Sequence, residues 1–358
     1  MYAPVRRKGI SQSESDFGCM GRCMARIPDG NNFTKAVRRE RRKKRMEIAL
    51  QILLLVGGFT LLIKGADWFV EGASKIADKL GIPQLVIGLT IVAMGTSAPE
   101  AAISISASLK GSADIAVGNV VGSNIMNVLL ILGITALITP LAVQKSTIKY
   151  ELPFVIVITA VFAAIGLTDN VVGRADGFLL WGLFIVYLIY LFFMAKNGQG
   201  SLEEGEEAGE NESIFKMLGL IVIGGVLIVV GSNITVDAAT AIARIFGMSE
   251  RFIGLTIVAF GTSLPELVTS VTAGLKKKAD IAVGNIVGSN IFNILFVIGT
   301  SALITPVAYQ ANFLVDSIVC AATVVLLLVC LLNKDHKLKR YGGVIMLAAY
   351  AGYFAYLL

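Results

Sequence analysis

Two glutamates set in long apolar stretches are the residues of this chain best placed to do chemistry. Glu100 closes the segment Gly88-Leu-Thr-Ile-Val-Ala-Met-Gly-Thr-Ser-Ala-Pro-Glu100, and Glu266 closes its copy, Gly254-Leu-Thr-Ile-Val-Ala-Phe-Gly-Thr-Ser-Leu-Pro-Glu266. Thr96 and Ser97 stand four and three positions before Glu100, as Thr262 and Ser263 do before Glu266, so each carboxylate gathers two hydroxyls within about one helical turn. Pro99 removes an amide donor and Gly95 loosens the preceding turn, so a break there frees the carbonyls of Ala93, Met94 and Gly95. Oxygens alone, without His or Cys at this depth, make a hard-cation environment. Calcium accepts about six to eight flexible oxygen ligands, whereas magnesium wants a tighter octahedron.

A second motif adds to the first. Gly118-Asn-Val-Val-Gly-Ser-Asn-Ile-Met-Asn127 places Ser123 and Asn127 four apart on one face, and the copy supplies Ser289 and Asn293. The two copies align without a gap from Ile87/Ile253 to Ala142/Ala308, with two-thirds of positions identical. Two half-sites brought together would offer two carboxylates, hydroxyls, amides and freed carbonyls. Two buried glutamates balance one calcium ion, and an empty site would strand both charges at a high desolvation cost. Something cationic must then replace calcium before the carrier reorients, and sodium ions or protons could do so.

These residues need membrane spans to hold them. The composition is 55% hydrophobic and 16% charged over 358 residues, which indicates a multispan membrane protein. Apolar runs fall at 47–72, 84–109, 113–139, 151–168 and 176–195, and again at 214–243, 251–275, 280–305, 313–333 and 341–358. Five is odd, so each span of the second half crosses opposite to its partner, an inverted repeat. The expected fold is therefore all-α and integral, with ten transmembrane helices as two inverted five-helix repeats broken near the midplane. The division is 1–45 a basic tail, 46–195 the first repeat, 196–213 an acidic Gly/Glu-rich linker and 214–358 the second repeat. Lys and Arg favour the odd-numbered loops, which places those loops in the cytoplasm.

The net charge of +6 belongs to the tail. Residues 1–45 hold 13 Lys and Arg against 4 acids, leaving the remainder acidic. The tail reads as disordered, as a lipid-headgroup anchor, or as sequence upstream of a start at Met46, and not as a nucleic-acid arm. Cys19, Cys23, Cys320 and Cys330 form no CxxC pair, so no disulfide or metal framework is expected. Asp114 and Asp280 read as helix caps, Gly118, Gly122, Gly284 and Gly288 as packing residues, and Lys64, Asp67 and Trp68 as an interfacial cluster.

The doubled GTSxPE and doubled GNxxGSNxxN resemble the cation/calcium exchanger superfamily, specifically its sodium/calcium exchanger branch in the short prokaryotic form, over residues 46–358. The resemblance implies a sodium/calcium antiporter working by alternating access, without cofactors and not an enzyme, in a bacterial inner membrane. It implies that Glu100, Glu266, Thr96 and Thr262 meet the metal ion. Ser97, Ser263, Ser123, Asn127, Ser289, Asn293 and the carbonyls of Ala93 and Ala259 would complete the cation site. Some relatives carry Asp where this chain has Asn293, which leans against potassium co-transport. The alternatives are a proton/calcium antiporter, a passive calcium channel, or an intramembrane hydrolase built on Ser97 or Ser263. The hydrolase lacks a base, because the one histidine, His336, falls in a loop. The expected partners are small cations and the bilayer, and one chain suffices because it holds both half-sites.

Overall fold

In a computed structural model, residues 30–111, 114–198, 213–248, 257 and 259–357 are described. By chain contacts the molecule divides into two units, residues 1–49 and 50–358. The first helix is assigned from Gly30 to Leu80. Residues 30–45, read as tail, are therefore helical, with Arg42 to Arg45 exposed, while 1–29 lie outside the described residues. Most of the acidic linker also lies outside them.

Seven helices among the described residues are long and apolar enough to cross a membrane, and a pair bent by 51°, Gln84–Thr96 with Ala98–Leu109, makes an eighth. Two more rods complete five plus five. One is Ala259–Thr262 followed by Leu264–Leu275, and the other is Arg340–Leu357, whose glycines and tyrosines lower its hydropathy. In chain order, span one ends at Leu80 and span two is the bent pair. Spans three, four and five are Ile115–Ile138, Thr147–Thr168 and Arg174–Asn197. Span six is Ile214–Ile245, span seven ends at Leu275, span eight is Ala279–Ile304, span nine is Ala311–Cys330 and span ten is Arg340–Leu357.

Short ribbons fix the inversion. After span three, β1 (Leu141–Ala142) pairs antiparallel with β4 (Lys337–Leu338) before span ten. After span four, β2 (Val171–Val172) pairs with β3 (Val307–Ala308) before span nine. The loop after the third span of one half thus lies beside the loop after the fourth span of the other, at both ends of the bundle. Only halves of opposite orientation can meet in that way.

The core is built from the Gly/Asn-rich spans. The apolar window of span eight is 94% buried and that of span three 72%, against 39% or less for the other single-helix spans. Glycine lets these helices approach closely: a Cβ on Gly284 would lie 3.0 Å from the Gly88 Cα, and one on Gly288 would meet the Leu89 carbonyl at 2.6 Å. Gly118 and Gly122 show no such approach among the described residues. Spans one and six cross through the same device, since a Cβ on Gly65 would stand 2.8 Å from the Gly224 carbonyl, and one on Gly224 2.7 Å from that of Gly65.

At the periphery each half ties its fourth span to its fifth by an acid and a tyrosine. Tyr190 donates to Glu151 Oε1 in the first half, and Tyr353 donates to Asp316 Oδ1 at 3.0 Å in the second. Asp280 stands in the first turn of span eight, where an acidic residue is expected, and accepts from the Gln144 amide. One expectation at a span end differs from the structure. Asp67 pairs with Lys276 of the other half at 2.7 Å, and not within a local cluster with Lys64.

Candidate functional site

The break in span two falls between Thr96 and Ala98. Ser97 adopts φ −81° and ψ 3°, and the chain restarts as Ala98–Leu109 with Pro99 in its first turn, where a missing amide hydrogen costs nothing. Span seven repeats this at Ser263, with φ −93° and ψ 6°, and restarts at Leu264. Glu100 and Glu266 therefore both sit in the first turn of a restarted helix, an end whose dipole favours a negative group.

The halves are laced crosswise at the breaks. Ser97 Oγ donates to Glu266 Oε1 at 2.8 Å, and Ser263 Oγ donates to Glu100 Oε1 at 3.3 Å. Glu100 is 1% exposed and Glu266 0%, and Oε2 of each has no hydrogen-bond partner. Neither forms an ion pair among the described residues. In spans three and eight, Oδ1 of Asn127 and Oδ1 of Asn293 are likewise buried and unpartnered. Four orphaned acceptors, in two matched pairs, thus come from four spans. A buried oxygen without a donor costs about 1–3 kcal/mol.

Asn127 and Asn293 each open a π-helical turn, Asn127–Leu132 and Asn293–Ile298. Such a turn widens the helix locally and is frequent at functional sites. Two further asparagines hold the breaks in place. Asn119 Nδ2 bonds Ser104 Oγ at 2.9 Å and the Glu100 carbonyl at 3.4 Å, and Asn285 Nδ2 bonds Ser270 Oγ at 2.9 Å and the Glu266 carbonyl at 3.3 Å. Asn285 Oδ1 also accepts from Thr96 Oγ1 at 2.9 Å, which joins span eight to the broken span two.

The structure joins Ser97 to Glu266, Ser263 to Glu100, Thr96 to Asn285 and Ser289 to the Ala93 carbonyl, and it joins Asn127 to Asn290 and Asn293 to Asn124. Ser123 is buried on the same face as Asn127. Thr262 ends the first segment of span seven, in the place Thr96 holds in span two. The Ala93 carbonyl differs from the expectation of a freed ligand: it accepts from the Ser97 amide at 3.0 Å, Thr96 Oγ1 at 3.3 Å and Ser289 Oγ at 3.4 Å. In span seven the Ser263 amide reaches the carbonyl of Phe260 at 3.2 Å. Most of Gly254–Val258 lies outside the described residues. Asn119, Asn124, Asn285 and Asn290 stand inside the doubled GNxxGSNxxN motif, which by itself assigns them no role. The signal was three asparagines at a shared spacing in both copies.

No group of three or more His, Cys, Asp or Glu side chains exists among the described residues, so a cation here would be held by two carboxylates and neutral oxygens. His336 lies at the β1–β4 ribbon, where its carbonyl accepts the Val143 amide, away from Ser97 and Ser263. The geometry offers those serines a carboxylate acceptor and no imidazole.

Comparison with known proteins agrees with this arrangement. A family model described as sodium/calcium exchanger protein matches residues 50–193 and 216–358, one match per half. The inner membrane protein YrbG of Escherichia coli is 37% identical over 322 residues, covering 86% of this chain and 97% of its own length. The sodium/calcium exchanger MaX1 of Methanosarcina acetivorans is 34% identical over 352 residues, covering 87% and 99%. A solved structure of the sodium-calcium exchanger NCX_Mj, soaked with 10 mM sodium and no calcium, superposes with a TM-score of 0.75 at 34% identity, covering 87% of this chain and 100% of that one.

Proposed function

This chain belongs to the sodium/calcium exchanger protein family, a family of cation/calcium exchangers and not of enzymes, and from that premise we propose that it couples calcium movement to sodium at the centre between spans two, three, seven and eight. The protein is a multi-pass integral membrane protein. The observation that carries the reading is the pair of fully buried, hydrogen-bonded glutamates whose second oxygens have no partner. In this reading Glu100 and Glu266 bridge calcium, Thr96 and Thr262 meet it beside them, and Ser97, Ser263, Ser123, Ser289, Asn127, Asn293 and the Ala93 and Ala259 carbonyls complete the shells. The Ala93 carbonyl then exchanges a hydrogen bond for the ion.

Two carboxylates match the charge of one calcium ion. Their joint burial without a counter-ion is costly, so the site reorients loaded and exchange is obligatory. Sodium suits the neutral hydroxyl and amide oxygens that outnumber the carboxylates, and the named exchanger MaX1 and the exchanger NCX_Mj are both described with sodium. The test is calcium uptake into proteoliposomes loaded with sodium and diluted into sodium-free buffer, beside vesicles carrying only a proton gradient. Uptake that requires internal sodium is expected. Uptake driven by the proton gradient alone assigns proton coupling, and uptake indifferent to both gradients overturns exchange in favour of a channel.

A further inference from the structure

The amides of Asn127 and Asn293 each bond an asparagine of the other half. A main-chain carbonyl can only accept. The Asn124 carbonyl receives a hydrogen bond from Asn290 at 3.2 Å, so the atom of Asn290 that reaches it is Nδ2. The other end of that amide is then Oδ1, and it faces Asn127 at 3.0 Å, so Asn127 must donate through Nδ2. Asn127 Oδ1 is thereby left buried with no partner. The mirror chain runs alike: Asn124 Nδ2 donates to the Asn290 carbonyl at 3.1 Å, and Asn293 Nδ2 donates to Asn124 Oδ1 at 3.2 Å, which leaves Asn293 Oδ1. All four asparagines are 0–1% exposed, so water does not compete for these bonds.

We propose that Asn124 and Asn290 are positioning residues that hold Asn293 and Asn127 with their carbonyl oxygens toward the transported cation. The proposal rests on the reading that Asn127 and Asn293 are cation ligands. A flipped amide would aim its NH2 at the ion and repel it. Each asparagine orients the ligand of the opposite half, so neither half-site is complete without the other. The orphaned carbonyls thus have a function, since a site built from pre-aimed dipoles need not reorganise when the ion arrives.

The test is a cycle on the full-length protein, with half-saturating calcium measured in proteoliposomes and by calcium-dependent thermal shift of the purified protein. N290A is expected to raise the half-saturating calcium concentration by about tenfold, with a smaller fall in maximal rate. In an N127D background the ligand's two oxygens are equivalent and no wrong face exists, so N290A should add less than about a twofold penalty. N124A should keep its full penalty there, because it orients Asn293. Equal penalties for N290A in both backgrounds overturn the proposal and leave Asn290 a packing residue. Should N290A not fold, N290S carries the same cycle. If N127A and N293A leave calcium affinity intact, the ligand reading itself fails, whatever the cycle shows.

Discussion

Where the broken and asparagine-rich spans of the two halves meet, the hydrogen bonds come in twos. Asn124 and Asn290 exchange bonds with each other's main chain, Ser97 and Ser263 each reach the other half's glutamate, and Asn119 and Asn285 each grip a restarted helix. Between spans four and five the correspondence with spans nine and ten is looser. Counting on by the repeat length, Glu151 is matched by Ser317 and Tyr190 by Tyr356, yet the second half forms its own acid–tyrosine bond from Tyr353, one turn earlier, to Asp316, one residue earlier. The difference follows from what each surface touches. At the centre Asn124 and Asn290 bond each other and each serine bonds the other half's glutamate, so a change in one half must be met by a change in the other. At the periphery each acid–tyrosine bond closes within one half, so each half can satisfy the same need with different residues.

The sharpest way to break that comparison is at the glutamates. If the two halves share one centre, E100Q and E266Q should be about equally damaging, each losing transport by about 100-fold or more, since removing one partner from a buried charged constellation costs about 3–5 kcal/mol. Initial calcium uptake at saturating sodium is the measurement. A single indispensable glutamate would mean that the halves are alike in geometry but not in role.

A smaller asymmetry sits inside the symmetric region. Asn285 makes three hydrogen bonds, one of them accepted from Thr96 across the halves, while Asn119 makes two and is only part-buried. At about 1 kcal/mol for each bond, N285A should destabilise the purified protein by about 3 kcal/mol and N119A by about 2 kcal/mol. Thermal unfolding in detergent separates them. Equal losses would show that the Thr96 contact contributes little, and that span two is held by glycine packing against span eight.

How much of this was legible in the sequence follows the same division. The doubled motifs announced two matched carboxylates, the odd count of spans announced the inversion, and Pro99 announced the break. Hydrogen-bond partners between halves were not legible, because they depend on which faces the inversion brings together. Asn127 and Ser123 were read as a pair from their spacing of four. That spacing says nothing of Asn290, which reaches Asn127 across the interface. The π-helical turn after Asn127 was also hidden, since the sequence there is an ordinary apolar run. The Ala93 carbonyl was read as free from the position of Pro99, whereas the amide of Ser97 still closes the turn before the break.

The peripheral pairs give the finest test. Glu151 is 1% exposed, and its Oε2 already lacks a partner, so losing the Tyr190 hydroxyl would strand the whole carboxyl group. Asp316 is only part-buried, and its bond to Tyr353 can be replaced by water or headgroup contacts. Y190F should therefore cost about 1–3 kcal/mol and Y353F about 0.5–1.5 kcal/mol in unfolding free energy, with half-saturating calcium unchanged in both. The absence of an effect on calcium is the part that matters. Tyr187 stacks on Phe154, and its hydroxyl reaches the Leu89 carbonyl at 3.4 Å, so a path of contact does run from the periphery to Gly88–Val92, a π-helical turn in span two. If Y190F shifted calcium affinity as well as stability, that path would be energetically coupled to the site. The first half would then carry an influence on the centre that the second half, with its displaced pair, does not share.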